Sequence, residues 1–174
     1  MRITGDPNLT ARAWLRLSKY VSSTTAGNTM LSQDYKEFIQ SLNDNGVLYL
    51  IVGGYAVALH GYPRYTKGID IWIVMDAKNA ARVIDALNQF GFASLGLKTD
   101  DFLEPDTIIQ LGYPPNRVDL ITTLPGVNFK SCFEARVETE IDGLLIHFIG
   151  LESLKQTKRS SARAQDLADL ENLS

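Results

Sequence analysis

Three stretches of the 174-residue chain carry residue types that could do chemistry together. The first is Gly53-Gly54, placed between the apolar run 47–52 and a short helix-like segment, 55–60. Two glycines at a strand-to-helix junction let a ligand approach the backbone and leave free N–H groups at a helix start, which suits an anion such as phosphate. The plain alternative is a turn. The second is Asp70, the one charge in the strand-like run 69–74, and the third is Asp119, set between Val118 and Leu120 in another strand-like run, 117–122. A carboxylate among apolar strand neighbours is costly to desolvate and needs a partner. A metal ion shared by the two would serve, and so would salt bridges, with Arg64, Lys67 and Arg117 as candidates. Strand alternation puts Gly68, Asp70 and Trp72 on one face, and Arg117, Asp119 and Ile121 together on one face of the other strand. If these strands are neighbours, both carboxylates reach one ion.

Arg64, Thr66 and Lys67 lie in the loop that leads to Asp70. Arg64 is the best suited to grip phosphate because its guanidinium is a planar fork; Lys67 alone reads as solvent-exposed. His60 and His147 lack metal-ligand spacing, and the lone Cys132 lacks a basic neighbourhood in sequence. Tyr55, Tyr62, Tyr65 and Trp72 could stack on a base, but aromatics in this number are ordinary core and rim material.

The elements that must position these residues follow from periodicity. Tyr35, Phe38, Ile39 and Leu42 fall at helical spacing over 31–45, with Ser32 as cap and Asn45-Gly46 as stop. Asp76 can cap a second helix over 77–90, with Ala80, Val83, Ile84 and Leu87 as its stripe and Gly91 as its end. Residues 92–106 read as irregular, 107–112 as a strand, 113–116 as a turn and 129–135 as a short helix. Asp142-Gly143 marks a hairpin between strands 137–141 and 144–149, and 151–173 reads as helical and rich in charge. Residues 1–29 differ: a basic amphipathic stretch runs into Ser/Thr-rich linker composition, so they read as an extension before a domain over 30–174.

A net charge of −3 and a pI near 5.4 argue against gripping nucleic acid by bulk electrostatics. A single cysteine excludes an internal disulfide and a cysteine zinc cluster, no stretch is long and apolar enough to span a membrane, and no secretory segment opens the chain. A cytoplasmic protein is expected.

The stretch 52–71 resembles the nucleotidyltransferase fold superfamily, and within it the minimal bacterial group that includes AbiEii-type toxins. Val52-Gly53-Gly54 and Asp70-Ile71 match its glycine pair and carboxylate strand, and Arg64-Tyr65-Thr66 matches its R-x-T. Asp119 stands where a third carboxylate is expected, and 158–167 resembles the family's basic ending, with Gln165 in place of a lysine. The resemblance implies an α/β (α+β) fold, a small mixed twisted sheet with helices mainly on one face. It also implies a Mg²⁺-nucleoside triphosphate bound by Gly53, Gly54, Arg64, Thr66, Lys158 and Arg163, with Asp70 and Asp119 as catalytic metal ligands. Transfer of a nucleoside monophosphate to a hydroxyl of RNA, protein or a small molecule would follow, in a toxin–antitoxin setting with a cognate protein partner. One position departs from the pattern: Gly68 stands where the family has its first Asp. Two carboxylates can hold one ion, and the loss implies a rate lower by at least on the order of 10²-fold. Gly68 therefore means a slowed enzyme, a non-catalytic nucleotide-binding or protein-interaction module derived from one, or an altered residue.

Overall fold

A computed structural model describes residues 31–173 of the chain, so the expected extension at 1–29 lies outside the described residues. Helix α1 (Gln33–Asp44) begins where Ser32 accepts the Tyr35 N–H and ends at Asn45; its buried residues are the predicted Tyr35, Phe38, Ile39 and Leu42. Strand β1 (Tyr49–Val52) is buried throughout and runs straight into the short helix α2 (Gly53–Leu59). Strand β2 (Gly68–Ile73) follows, then α3 (Ala77–Phe90), capped by Asp76 and closed by a left-handed Gly91. The irregular stretch contains two 3-10 turns, Ala93–Leu95 and Thr99–Phe102. Strands β3 (Ile108–Leu111) and β4 (Arg117–Ile121), helix α4 (Phe129–Glu134) and the hairpin β5 (Val137–Ile141) and β6 (Leu144–Phe148) come next.

The strands form one six-stranded mixed sheet in the order β3-β4-β2-β1-β6-β5. Its centre decides what the site can be. Strand β2 pairs antiparallel with β1, setting Val52 against Asp70, and parallel with β4, setting Gly68 against Arg117 and Asp70 against Asp119. Ile69, Ile71 and Ile73 then share a face with Val118 and Leu120, all within one hydrophobic core. The opposite face carries Gly68, Asp70, Trp72, Arg117 and Asp119, and Trp72 there meets Phe129 of α4 edge-on at 5.0 Å. The two longest helices among the described residues, α1 and α3, pack on each other, in part through Phe38 and Phe90 at 5.1 Å.

The C-terminal stretch is helical, as its sequence suggests, and it is divided into two helices. Helix α5 (Leu151–Ser161) stops at Ala162, whose φ of 49° is left-handed, and α6 (Ala164–Asn172) starts after Arg163. Alanine is the strongest helix former and pays for a left-handed backbone, so the sequence gives no sign of the break. Ion pairs, described below, bridge the two helices across it. Replacing Ala162 by Gly is expected to raise stability by about 1 kcal/mol in urea unfolding, because glycine adopts this φ without the Cβ penalty. A loss of stability would show that the bend carries no strain.

Candidate functional site

The sheet's carboxylate face forms the floor of a cleft of about 470 Å³, and every residue singled out by the sequence reading as a site residue lines it. From β1 and α2 come Val52, Gly53 and Gly54; from the approach loop Arg64 and Thr66; from β2 and β4 Asp70, Arg117 and Asp119. Lys158 of α5, and Arg163 and Asp166 at the start of α6, close the other side.

The glycines have specific tasks. Gly53 has a φ of 60°, and a Cβ there would overlap Oδ2 of Asp70, so only glycine lets that carboxylate lie against the loop. The Gly54 N–H then donates to Asp70. A Cβ on Gly54 would come within 2.9 Å of Thr66 Cβ. The Thr66 hydroxyl donates to the Gly68 carbonyl at 2.8 Å, fixing the entry into β2.

Asp70 and Asp119 stand side by side in register. Burial, and next the neighbouring Asp119 charge, push the Asp70 carboxyl up to about 6 against the opposing pull of Arg117, Arg163 and the Gly54 N–H. Asp119 is buried, and its Oδ2 accepts from Nη2 of Arg117 at 2.7 Å, while its Oδ1 has no hydrogen-bond partner among the described residues. A raised carboxyl beside an orphaned carboxylate oxygen is what a cation between them would relieve, so the residues fit one divalent ion. No group of three potential His, Cys, Asp or Glu ligands occurs among the described residues.

The sign of the Asp70 shift sets a pH dependence. Asp70 holds its proton more tightly in the folded chain than at the ordinary 3.8, so metal-free stability falls as pH rises from about 4 through about 6. Asp70→Asn removes that penalty. Thermal unfolding without divalent ions should find Asp70→Asn more stable than the parent at pH 7, with the difference closing toward pH 4. A difference equal at both pH values would contradict the assignment of the shift.

The basic residues are paired with carboxylates rather than left open. Lys158 is buried and donates to Asp166 at 2.9 Å and to Asp169 at 2.6 Å. Arg64 grips Asp169 bidentately, at 2.7 and 2.9 Å, and Arg163 donates to Asp166 at 2.7 Å. Burial alone would raise the Asp166 carboxyl, but donors from Arg163, Ser161 and Lys158 outweigh it and hold it down at about 2. Asp169 is lowered in the same way by Arg64, Lys158 and Gln165. Sequence reasoning misses Asp169. Its i,i+3 spacing from Asp166 puts both on one face of a helix, and that is the signal that could have found it. Arg117, expected only as a salt-bridge candidate for the strand carboxylates, is in fact paired with Asp119.

No protein-family model matches the chain, and no curated protein matches its sequence. The likeness is to solved structures. A candidate nucleotidyltransferase from Thermotoga maritima superposes with a TM-score of 0.56 at 15% identity, over 83% of this chain and 95% of its own. An antigenic nucleotidyltransferase-like protein from Paracoccidioides brasiliensis gives a TM-score of 0.48 at 18% identity, over 82% of this chain and 77% of its own. At such identities the first likeness establishes the architecture: the chain has the nucleotidyltransferase fold. No described helix is long and apolar enough to cross a membrane.

Proposed function

We propose that the cleft binds a nucleoside triphosphate together with one Mg²⁺, and that the protein transfers the nucleoside monophosphate to a hydroxyl acceptor. The observation that carries this reading is the in-register pair Asp70 and Asp119 with an orphaned carboxylate oxygen, at the floor of a cleft rimmed by glycines and cations. Asp70 and Asp119 would hold the ion, which supplies charge neutralisation at the phosphates. Gly53 and Gly54 would offer their backbone to the triphosphate while letting Asp70 and Thr66 lie against the loop, and Arg64, Thr66, Lys158 and Arg163 surround it. Asp70, part-protonated near neutrality, gives up its proton as the ion binds.

A second reading, nucleotide binding without transfer, is favoured by one specific observation. A Cβ at position 68 would overlap the Arg117 carbonyl oxygen, so β2 and β4 are packed around the absence of the carboxylate that the family places there. An RNA or protein acceptor and an antitoxin-type partner extend the first reading and are supported by the sequence resemblance.

Label transfer separates the two. Purified protein is incubated in cell extract with each of four α-labelled nucleoside triphosphates and Mg²⁺ or Mn²⁺, beside an Asp119→Asn control. Labelling of an acceptor that disappears in Asp119→Asn supports transfer. Absence of label with all four, although the nucleotide binds, leaves the binding protein as the function.

A further inference from the structure

Two buried polar atoms of the cleft have no hydrogen-bond partner among the described residues: Nε of Arg117 and Oδ1 of Asp119. One is a cationic donor and the other an anionic acceptor. They belong to a single ion pair whose other atoms, Nη2 and Oδ2, meet at 2.7 Å. Leaving buried charged groups incompletely bonded is costly, so a ligand that completes the site brings an acceptor for Arg117 and a cation for Asp119. A divalent ion alone satisfies only the carboxylate, and a free phosphate only the guanidinium. A metal-bound phosphate satisfies both.

The position of Arg117 explains Gly68. The two residues are direct cross-strand partners on the face that carries Asp70. A Cβ at 68 would come 3.0 Å from the Cβ of Arg117 and would overlap its carbonyl oxygen. Glycine at 68 is therefore what lets the β4 backbone at Arg117 come this close, with the guanidinium at this end of the site. Where a third carboxylate would call for a second cation, the chain has a guanidinium instead. Two carboxylates and one guanidinium leave a single net negative charge, so one divalent ion turns the group net positive, which suits a phosphate ligand.

We propose that Arg117 is the resident cation of the cleft, standing in for a second metal ion and donating to a phosphate oxygen of the bound nucleotide. This rests on the nucleotide-binding reading above. It makes Arg117 both a ligand for phosphate and a competitor of the divalent ion for Asp119. Removing it therefore shifts the two affinities in opposite directions, which loss of a merely structural residue does not do.

The test is calorimetric titration of the full chain with MnCl₂ alone, and separately with ATP in the presence of chelator, for the parent, Arg117→Gln and Arg117→Lys. Arg117→Gln should bind Mn²⁺ about tenfold more tightly and metal-free ATP about tenfold more weakly, the size of one charge-assisted contact. Arg117→Lys keeps the charge without the fork and should show smaller shifts of the same signs. Parallel weakening of both ligands, or no change in ATP binding, overturns the proposal. If Arg117→Gln fails to give the parent circular dichroism spectrum, Arg117→Lys decides by the same rule of opposite signs. Should the parent bind no ATP even with Mg²⁺, the nucleotide-binding reading falls as well. If the parent binds it and the Arg117 variants bind ATP equally, only the role of Arg117 falls.

Discussion

Replacing Gly68 by Asp is expected to break the seam between β2 and β4 rather than to restore an enzyme. The new Cβ would overlap the carbonyl oxygen of Arg117 and come 3.0 Å from the Arg117 Cβ. That carbonyl has little freedom to retreat, because Tyr35 of α1 donates to it at 3.2 Å and to the Pro115 carbonyl at 2.7 Å. Overpacking against backbone costs on the order of 3 kcal/mol, a large share of a domain's total stability. The added carboxylate would also stand beside Asp70, whose carboxyl is already raised by burial and by Asp119. Urea unfolding checks the expectation, with Gly68→Ala as the uncharged control that should lose most of the same stability. A Gly68→Asp protein as stable as its parent, and more active in label transfer, would show that position 68 is merely vacant.

Lys158→Ala should destabilise the fold by about 2–3 kcal/mol, because two buried carboxylates lose a shared cation and keep only Arg163 and Arg64. Lys158 reaches Asp166 and Asp169 together, and Asp169 is fully buried. The pair ties α6 back onto α5 across the left-handed turn at Ala162. Adding Asp169→Asn to a Lys158→Met chain should recover part of the loss, since an uncharged pair pays less for burial. The pH profile carries a second signature. Asp166 is held at about 2, so its contribution is present above the ordinary 3.8 and is lost as pH falls through about 2. Lys158→Ala should flatten that acid limb. An unchanged midpoint in urea would mean that the network contributes nothing to folding.

The parts of this fold that are legible in the sequence are those with local causes. Ser32 and Asp76 accept N–H groups at helix starts, and Gly91 ends a helix in the left-handed region, so α1 and α3 can be bounded by inspection. Period-two alternation fixes which side chains share a face, and it correctly joins Asp70 to Gly68 and Asp119 to Arg117. Adjacency of β2 and β4 has no such local signature and stands in the sequence only as a condition that the fold meets. The bend at Ala162 is invisible because local propensity favours helix there, while the ion pairs of Lys158 with Asp166 and Asp169 form only across the finished turn. The partners of the basic residues are legible in part. For Lys158 and Arg163 the phosphate reading comes from the resemblance, which also implies that Asp166 orients a basic neighbour, and folding adds that Asp169 holds both Lys158 and Arg64. Any triphosphate entering the cleft competes with these carboxylates or binds through donors they leave over. Gly68, read in sequence as a missing ligand, is in the fold a place where the neighbouring backbone comes too close for a side chain.

The most direct test of a one-ion nucleotide site at Asp70 and Asp119 is calorimetric titration of the full chain with ATP, with and without Mg²⁺, for the parent and for Asp119→Asn. The account predicts that Mg²⁺ strengthens ATP binding to the parent by about tenfold or more, and that Asp119→Asn abolishes this gain while the protein stays folded. ATP binding that is indifferent to Mg²⁺ and to Asp119, or no binding at all, would contradict it.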